Sequence, residues 1–300
     1  MNRAVGIEDA RLGVEVLGPV AGDTDGSALT AAGDLLRARY RSDDLPDVGT
    51  LSTVIERQLA HKSVRSFLAE DVPDSALNAI VVAAQSAATS SNQQAWSVVA
   101  VRDEARKSRL ATLAGDQQLI RDAPIFLVWV ADLSRARALG AVSGVELIGT
   151  EYLEAVLVSA VDTALAAQNA VLAAESLDYG AVYVGAVRNN LVEVARELSL
   201  PPASFPVFGL ALGRAAADDT SGVKPRLPLA AVLHSEQYSP EQAAAAVDAY
   251  EPLIAAYWHG VGAAPRVWRE AVIERWRHSG SLTGRDKLTE RLRSLGWPAR

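Results

Sequence analysis

Residues 151–177 have the sequence EYLEAVLVSAVDTALAAQNAVLAAESL and contain the longest apolar stretch of the chain. They predict one helix that is apolar on most of its surface, and such a helix has to be covered on nearly all sides. We therefore expect it to be central, a position that would also suit a subunit interface. The stretch could span a bilayer, but Glu154 and Asp162 would lie at membrane depth, which favours a buried helix. The prediction is a cytoplasmic protein that does not enter a membrane.

Shorter elements surround this helix in the sequence. Short apolar runs rich in β-branched or aromatic residues predict buried strands at 96–101, 125–131, 182–184 and 207–212. Helices are predicted from Thr50 or Ser52 to about His61, from Asp74 or Ser75 onward, at 104–114, 190–198 and 240–258, and over parts of 266–278 and 285–295. Helices that alternate with few strands indicate an α+β layer fold with one main domain. We expect residues 51–300 to form that domain, and residues 1–50, with one helix at 29–41, to form an N-terminal extension that wraps it.

Charge and composition exclude several classes of function. The net charge is −7, which disfavours a nucleic-acid binder, and the chain has no cysteine, which excludes disulfides and thiolate chemistry. The predicted helical region 261–300 is basic, because it contains nine Arg or Lys residues and four acidic ones. It is either a solvated helical face or a patch that attracts a small polyanion such as a phosphorylated nicotinamide.

Common catalytic signatures are absent from the sequence. It holds no G-x-S-x-G, no H-E-x-x-H and no Walker A loop. The four histidines lack the paired spacing of metal ligands, so we predict no metal site.

Four polar elements could bind an anion or a polar ring. His61-Lys62-Ser63-Val64-Arg65 follows a predicted helix, and Lys224-Pro225-Arg226 places two cations on a loop that proline stiffens. Alone, each is a solvated charge run or half of a phosphate site. A polar run, 89–94, precedes a strand and is either a turn or a row of hydrogen-bonding groups. The segment 183–186 ends a strand, where glycine lets a ligand approach the backbone.

Taken in order, these segments resemble the nitroreductase superfamily, in particular its NADPH-dependent, oxygen-insensitive nitroreductase and flavin reductase P branch. The resemblance is carried by His61–Phe67 (HKSVRSF), Ala88–Gln94 (ATSSNQQ), Tyr183–Asn190 (YVGAVRNN) and Lys224–Pro228 (KPRLP), and it extends from about residue 51 to Gly296-Trp297. It implies a nitroreductase-like FMN fold, with a central, mostly antiparallel sheet flanked by helices, and an interlocked homodimer with two FMN sites at the subunit interface.

The resemblance also implies roles for individual residues. The phosphate of FMN would be held by His61, Lys62, Ser63, Lys224 and Arg226. The ring would be contacted by Arg65, Thr89, Ser90, Ser91 and Gln117, and by the strand end Tyr183, Val184, Gly185 and Ala186. Arg65 would act as an electrostatic stabiliser of the negative charge that the ring gains on reduction, with no catalytic residue beyond the flavin.

The implied activity is two-electron hydride transfer from NADPH, or NADH, to nitroaromatics, quinones or flavins in a ping-pong cycle. Ala186 and Thr89 stand where close relatives carry glycine and serine. The region 259–262 lacks arginines that relatives use for the NADPH phosphate, and Arg266 and Arg285 are the candidate substitutes. Three alternatives stay open: a flavin reductase that supplies a partner monooxygenase, a flavin-binding protein without turnover, and a serine hydrolase.

Overall fold

A computed structural model describes residues 26–262, 264, 266–298 and 300, with side chains from residue 32 onward. This part of the chain forms four strands: β1 (Trp96–Val101), β2 (Ile125–Asp132), β3 (Gly180–Val184) and β4 (Ser204–Gly213). It also forms eleven helices: α1 (Gly26–Tyr40), α2 (Thr53–Ala60), α3 (Asp74–Gln85), α4 (Glu104–Leu113), α5 (Gln118–Asp122), α6 (Ser134–Ser143), α7 (Leu153–Ser176), α8 (Leu191–Glu197), α9 (Pro240–Gly260), α10 (Trp268–Trp276) and α11 (Leu288–Ser294). The first 25 residues of the predicted extension lie outside the described residues.

The four strands form one antiparallel sheet in the order β1-β2-β4-β3. Every residue of β2 is buried, and alternate side chains of this strand enter opposite sides of the core because a strand has a side-chain period of two. The predicted α+β class and antiparallel sheet are confirmed. Two strands begin earlier than predicted, since β3 starts at Gly180 and β4 at Ser204.

Helices cover both faces of the sheet. On one face, Leu127 and Trp129 of β2 pack against α3 and an alanine-rich side of α7 that includes Ala166 and Ala170. On the other face, residues of β2 such as Phe126 pack against α4, α5 and α8. Small alanine side chains let the α7 backbone approach the sheet, so this helix is as central as its sequence predicts.

The outer side of α7 is not covered by the described residues. Leu153, Leu157, Val161 and Leu165 are between 44% and 54% exposed. They recur every four residues and therefore form one stripe along the helix. In the part of the chain that the structure describes, α7 is the one helix long and apolar enough to cross a membrane. Here it packs on a sheet with one side and leaves an apolar stripe on the other.

Helix α6 is the longest helix that the sequence does not predict. Its apolar residues do not mark a buried face, since Leu139 and Val142 are 70% and 89% exposed. The helix begins where it does because Asp132, at the end of β2, accepts hydrogen bonds from the Ser134 amide (2.9 Å) and hydroxyl (2.6 Å). A local contact between Asp132 and Ser134, rather than apolar periodicity, thus marks its start.

A buried carboxylate on α7 holds the polar run 89–94. Asp162 is 2% exposed and accepts hydrogen bonds from Thr89 Oγ1 (2.5 Å), Ser90 N (3.0 Å) and Ala95 N (3.4 Å). The loop needs this support because three of its non-glycine residues, Ser91, Asn92 and Gln94, have positive φ angles. The run is therefore an ordered loop tied to the middle of α7.

Gly209 is required by close packing in the sheet. An added methyl group there would overlap the buried ring of Phe126. We expect Gly209→Ala to lower the free energy of unfolding by about 1–3 kcal/mol, the usual penalty of overpacking. Urea denaturation measures this loss. Gly260→Ala, with open space around the added group, is the control and should be neutral or slightly stabilising; an equal loss in both variants would contradict the packing argument.

Asp162→Asn tests the support of the 89–94 loop at nearly constant volume. The amide group would face N–H donors, so we expect a loss of about 2–3 kcal/mol in unfolding free energy and faster hydrogen exchange at the Ser90 and Ala95 amides. Ser159→Ala is the control on the same helix, because its hydroxyl bonds only to Ala155 O, within α7. Unchanged exchange at Ser90 and Ala95 would show that Asp162 does not order the loop.

Candidate functional site

The segment that follows α2 lies along the free edge of β3. Ser63 forms a parallel bridge with Ala181, and the Val64 amide donates to Ala181 O (3.1 Å). Val64 is buried against Gly180, where a side chain would overlap it. The alternation of the extended segment then directs Ser63 and Arg65 away from Val64 and the core, while Lys62 extends to Asp219.

These residues meet the proline-stiffened loop in one small cleft. Its volume is about 80 Å³, the space of roughly two or three water molecules. It is lined by His61, Lys62, Ser63, Arg65, Gly222, Lys224, Arg226 and Tyr257. The structure thus brings together the two cationic elements that the sequence singles out, and it does so in a space suited to a small anion.

The cleft holds an excess of positive charge. Burial, and then the charges of Arg65, Arg226 and Arg266, lower the pKa of Lys224 below its ordinary value. The Lys224 ammonium lies 4.7 Å from the centre of the Trp258 ring, and the Arg266 guanidinium lies 5.6 Å from the same ring. Arg266 therefore belongs to the surroundings of this cleft. Cations that repel one another favour a bound anion.

Asp219 is the acid of this cluster, and nothing in the sequence singled it out. Its side chain is 4% exposed and accepts from Lys62 Nζ (3.1 Å), the Arg65 amide (3.3 Å) and the Ser221 hydroxyl (2.8 Å). Burial alone would raise its pKa, but these hydrogen bonds outweigh burial and hold the pKa below the ordinary value. Asp219 thereby orients Lys62 and joins the 61–65 segment to residues 215–223.

Glu175, near the end of α7, is a second acid that sequence reasoning missed. Its Oε1 forms a hydrogen bond with Nδ1 of His61, which leaves Nε2 as the second hydrogen-bonding atom of that ring. Burial, and then the charge of Glu175, also raise the pKa of the Tyr183 phenol above its ordinary value. Glu175 thus connects α7 to both the cleft and strand β3.

The end of β3 continues from the cleft along the same edge. The Tyr183 hydroxyl donates to Gln168 of α7 (3.4 Å), and Val184 is buried. Gly185 and Ala186 then turn into a 3₁₀ helix, where a side chain at Gly185 would come within 3.3 Å of the Arg188 guanidinium. The Arg188 guanidinium therefore lies beside the backbone at this strand end.

Gln117 belongs to a loop that is tied to the segment after β3. The backbone N–H of Gln117 donates to Ala111 O (3.1 Å), and the side-chain amide of Asn190 donates to Leu113 O (2.7 Å). Gly115, in the same loop, lies close to Asn189. Gln117 is thus held beside residues 185–190.

The structure does not bring Thr89, Ser90 and Ser91 to this cleft within one chain. They precede β1, and β1 and β3 are opposite edges of the sheet, three strand spacings or roughly 14 Å apart. Along α7, Asp162 and Glu175 are thirteen residues apart, which is roughly 20 Å. The loop instead borders a larger cavity of about 680 Å³, lined partly by Trp96, Arg135 and Leu139.

A second group of cations lies beyond the end of β3. Burial, and then the charges of Arg285 and Arg275, lower the pKa of Arg188. Arg275 donates to Ser281 O (2.8 Å) and Arg285 to Leu282 O (2.9 Å), so one short turn holds both guanidinium groups. Among the described residues, no carboxylate lies within salt-bridge distance of these three arginines. The sequence singled out Arg285 but not Arg188 or Arg275.

Comparison with known proteins identifies the family. The model of the "Nitroreductase family" matches residues 59–214, and that of the "Nitroreductase family, C-terminal domain" matches residues 224–300. An FMN reductase [NAD(P)H] of Bacillus subtilis is 39% identical over 226 residues, covering 74% of this chain and 90% of the relative. An oxygen-insensitive NADPH nitroreductase of Salmonella typhimurium is 36% identical over 252 residues, covering 83% of this chain and all of the relative.

A solved structure agrees with these sequence matches. The structure of a hypothetical oxidoreductase from Bacillus subtilis superposes with a TM-score of 0.79 at 35% identity, and covers 83% of this chain and 100% of that one. Since a family model matches more than half of the chain and relatives above 30% identity span most of it, the chain belongs to the nitroreductase family.

Proposed function

We propose that the chain is an NAD(P)H-dependent oxidoreductase that binds FMN in the cleft between residues 61–65 and 224–226. The observation that carries the proposal is the convergence of these two cationic segments. The donor set fits a phosphate monoester, because lysines, arginines and Ser63 all offer N–H or O–H groups and Asp219 is already engaged. Relatives named as an FMN reductase and an NADPH nitroreductase support the same cofactors.

Individual roles follow from position. The phosphate would be held by His61, Lys62, Ser63, Lys224 and Arg226. Arg266, whose guanidinium lies over the Trp258 ring, would add positive charge nearby. Arg65 would stabilise negative charge on the ring, and the strand end 183–186 would offer it backbone groups, with Gln117 beside them. When bound, FMN supplies the redox chemistry, accepting a hydride from NAD(P)H and passing two electrons to an acceptor.

A second copy of the chain would complete this site. Thr89, Ser90 and Ser91 lie at the opposite edge of the sheet, so they could reach a flavin only in the cleft of a partner chain. The exposed stripe of Leu153, Leu157, Val161 and Leu165 runs along α7 and gives such a partner an apolar face to bury. We therefore propose an interlocked homodimer, soluble and cytoplasmic, in which residues 51–300 form the FMN domain and residues 1–50 an extension.

The nicotinamide would be bound near Arg285 rather than Arg266. Arg266 shares its position with Lys224 at the phosphate cleft, whereas Arg285 joins Arg188 and Arg275 beyond the end of β3, where guanidinium groups without acidic partners suit a pyrophosphate. The electron donor is NADPH, with NADH possible. Nitroaromatics, quinones and free flavins are the proposed acceptors in a ping-pong cycle, and the relative named FMN reductase favours free flavin among them.

The phosphate clamp is tested by comparing FMN with riboflavin, which lacks the phosphate. Lys224→Ala combined with Arg226→Ala should raise the Kd for FMN by roughly a hundredfold or more, because each charge-assisted hydrogen bond contributes about 1.5–3 kcal/mol. The Kd for riboflavin should stay within about threefold. Fluorescence quenching of the flavin measures both. Arg106→Ala, on α4, is the control, since Arg106 does not line the cleft and Arg109 still pairs with Glu197. A protein that binds neither flavin would overturn the proposed function.

Ping-pong kinetics separate donor binding from acceptor binding, because each kcat/KM reports its own half-reaction. Arg275→Ala and Arg285→Ala should lower kcat/KM for NADPH about tenfold each and leave kcat/KM for a neutral quinone unchanged. Steady-state oxidation of NADPH at varied quinone provides both values. An equal loss for donor and quinone would contradict the assignment, and a yellow protein that never oxidises NADPH would be a flavin-binding protein without turnover.

A further inference from the structure

The N-terminal extension places one buried cation directly behind the cleft. Arg39 lies near the end of α1, before the first residue that either family model matches. It is only 5% exposed, and among the described residues no carboxylate forms a salt bridge with it. An arginine buried in this way has to satisfy its donors with other groups.

Backbone carbonyls from both sides of the cleft satisfy Arg39. On the side of α2, Nε donates to Leu59 O (3.2 Å), and Nη2 donates to Leu59 O and His61 O (2.6 Å each). On the other side, Nη1 donates to Lys224 O (2.8 Å). The Arg226 amide in turn donates to Arg39 O (3.1 Å). One residue therefore bonds both segments that line the cleft.

No other described side chain makes this connection. Asp219 joins Lys62 and Arg65 to residues 215–223, but it does not bond to residues 224–226. The carbonyls of 58 and 59 end α2, where a helix leaves its last C=O groups without partners, so Arg39 also completes that helix end. A guanidinium offers five N–H donors on three nitrogens in a rigid plane, whereas an ammonium has three donors on a single nitrogen, so only the guanidinium can span carbonyls this far apart in a fixed geometry.

Charge and packing support the same role. Burial, and then the charge of Arg226, lower the pKa of Arg39, while Glu175 raises it, so the guanidinium adds to the positive potential around the cleft. The extension touches the cleft at a second place as well. The Arg41 guanidinium lies 5.8 Å from the centre of the Tyr257 ring, and the Tyr257 hydroxyl donates to Gly222 O (3.3 Å).

We propose that Arg39 is a positioning residue for the phosphate clamp, supplied by the N-terminal extension. It sets the separation between the 59–61 and 224–226 segments, so that their cations converge on one phosphate group. The inference rests on the proposed binding of FMN. It makes the extension part of the cofactor site although none of its side chains is required to touch the cofactor.

Full-length variants test the proposal by flavin affinity. Arg39→Lys keeps the charge but loses the fork, and Arg39→Met loses both. We expect the Kd for FMN to rise at least tenfold in the lysine variant and further in the methionine variant, while the Kd for riboflavin changes less than twofold. Arg37→Met is the matched control, because Arg37 is an exposed arginine on the same helix whose one ion pair among the described residues is with Asp34. Its affinity for both flavins should not change.

A merely structural role of Arg39 predicts a different result. General loosening of the fold would weaken the binding of FMN and of riboflavin by the same factor, and that outcome overturns the proposal. An unchanged Kd for FMN in both Arg39 variants overturns it as well. If Arg39→Met gives no soluble protein, the test uses Arg39→Lys and Leu36→Ala. Leu36 is a buried residue of α1, so its truncation loosens the helix that carries Arg39. Leu36→Ala should also weaken FMN more than riboflavin.

The wild-type protein and the clamp variants separate this proposal from the proposed function. If the wild type does not bind FMN, the proposed function fails. A different result is that the wild type binds FMN, the Lys224→Ala, Arg226→Ala double variant loses that affinity and the Arg39 variants keep it. In that case the proposed phosphate clamp is supported and the positioning role of Arg39 is wrong.

Discussion

Asp162 and Glu175 project from the same helix, α7, and each carboxylate fixes a segment that precedes or borders the sheet. Asp162 bonds the loop before β1, and Glu175 bonds His61 beside β3. Because the alanine-rich side of α7 packs closely on the sheet, the helix cannot shift without opening the core. The positions of the two polar segments, at opposite edges of the sheet, therefore depend on one rigid element and on the thirteen-residue spacing of its two acids.

The cleft beside β3 is assembled against electrostatic repulsion. Lys224 shares a small space with Arg65 and Arg226, and Arg39 is buried behind them, while Asp219 is the acid in direct contact. Like charges that are partly removed from water oppose folding, so the segments need other links to stay together. Those links are the hydrogen bonds of Asp219, the backbone bridge between Ser63 and Ala181, and the hydrogen bonds from Arg39 to carbonyls on both sides of the cleft. A bound phosphate dianion would attract each of these cations and would offset their mutual repulsion.

Sequence reasoning located the parts of the site that are local in the chain. The runs 61–65 and 224–226 are recognisable because several cations or a proline stand next to each other, and the structure brings them together in one cleft. Long-range partners carry no such signal. Asp219, Glu175 and Arg39 are single charged residues in ordinary surroundings, and their importance depends on which distant carbonyl or amide each one meets. The same limit applies to Arg188 and Arg275, which are far apart in sequence.

The separation between the 89–91 loop and the cleft links site geometry to assembly. A loop that is ordered by a buried carboxylate, with residues at positive φ, has conformational energy invested in a fixed shape. The loop cannot contribute to the cleft of its own chain, because the width of the sheet separates the loop from that cleft. The exposed apolar stripe runs along the same helix that orders the loop. In the proposed homodimer, a partner that buries the stripe would lie next to the loop, so burial of apolar surface and completion of the proposed site would be one event.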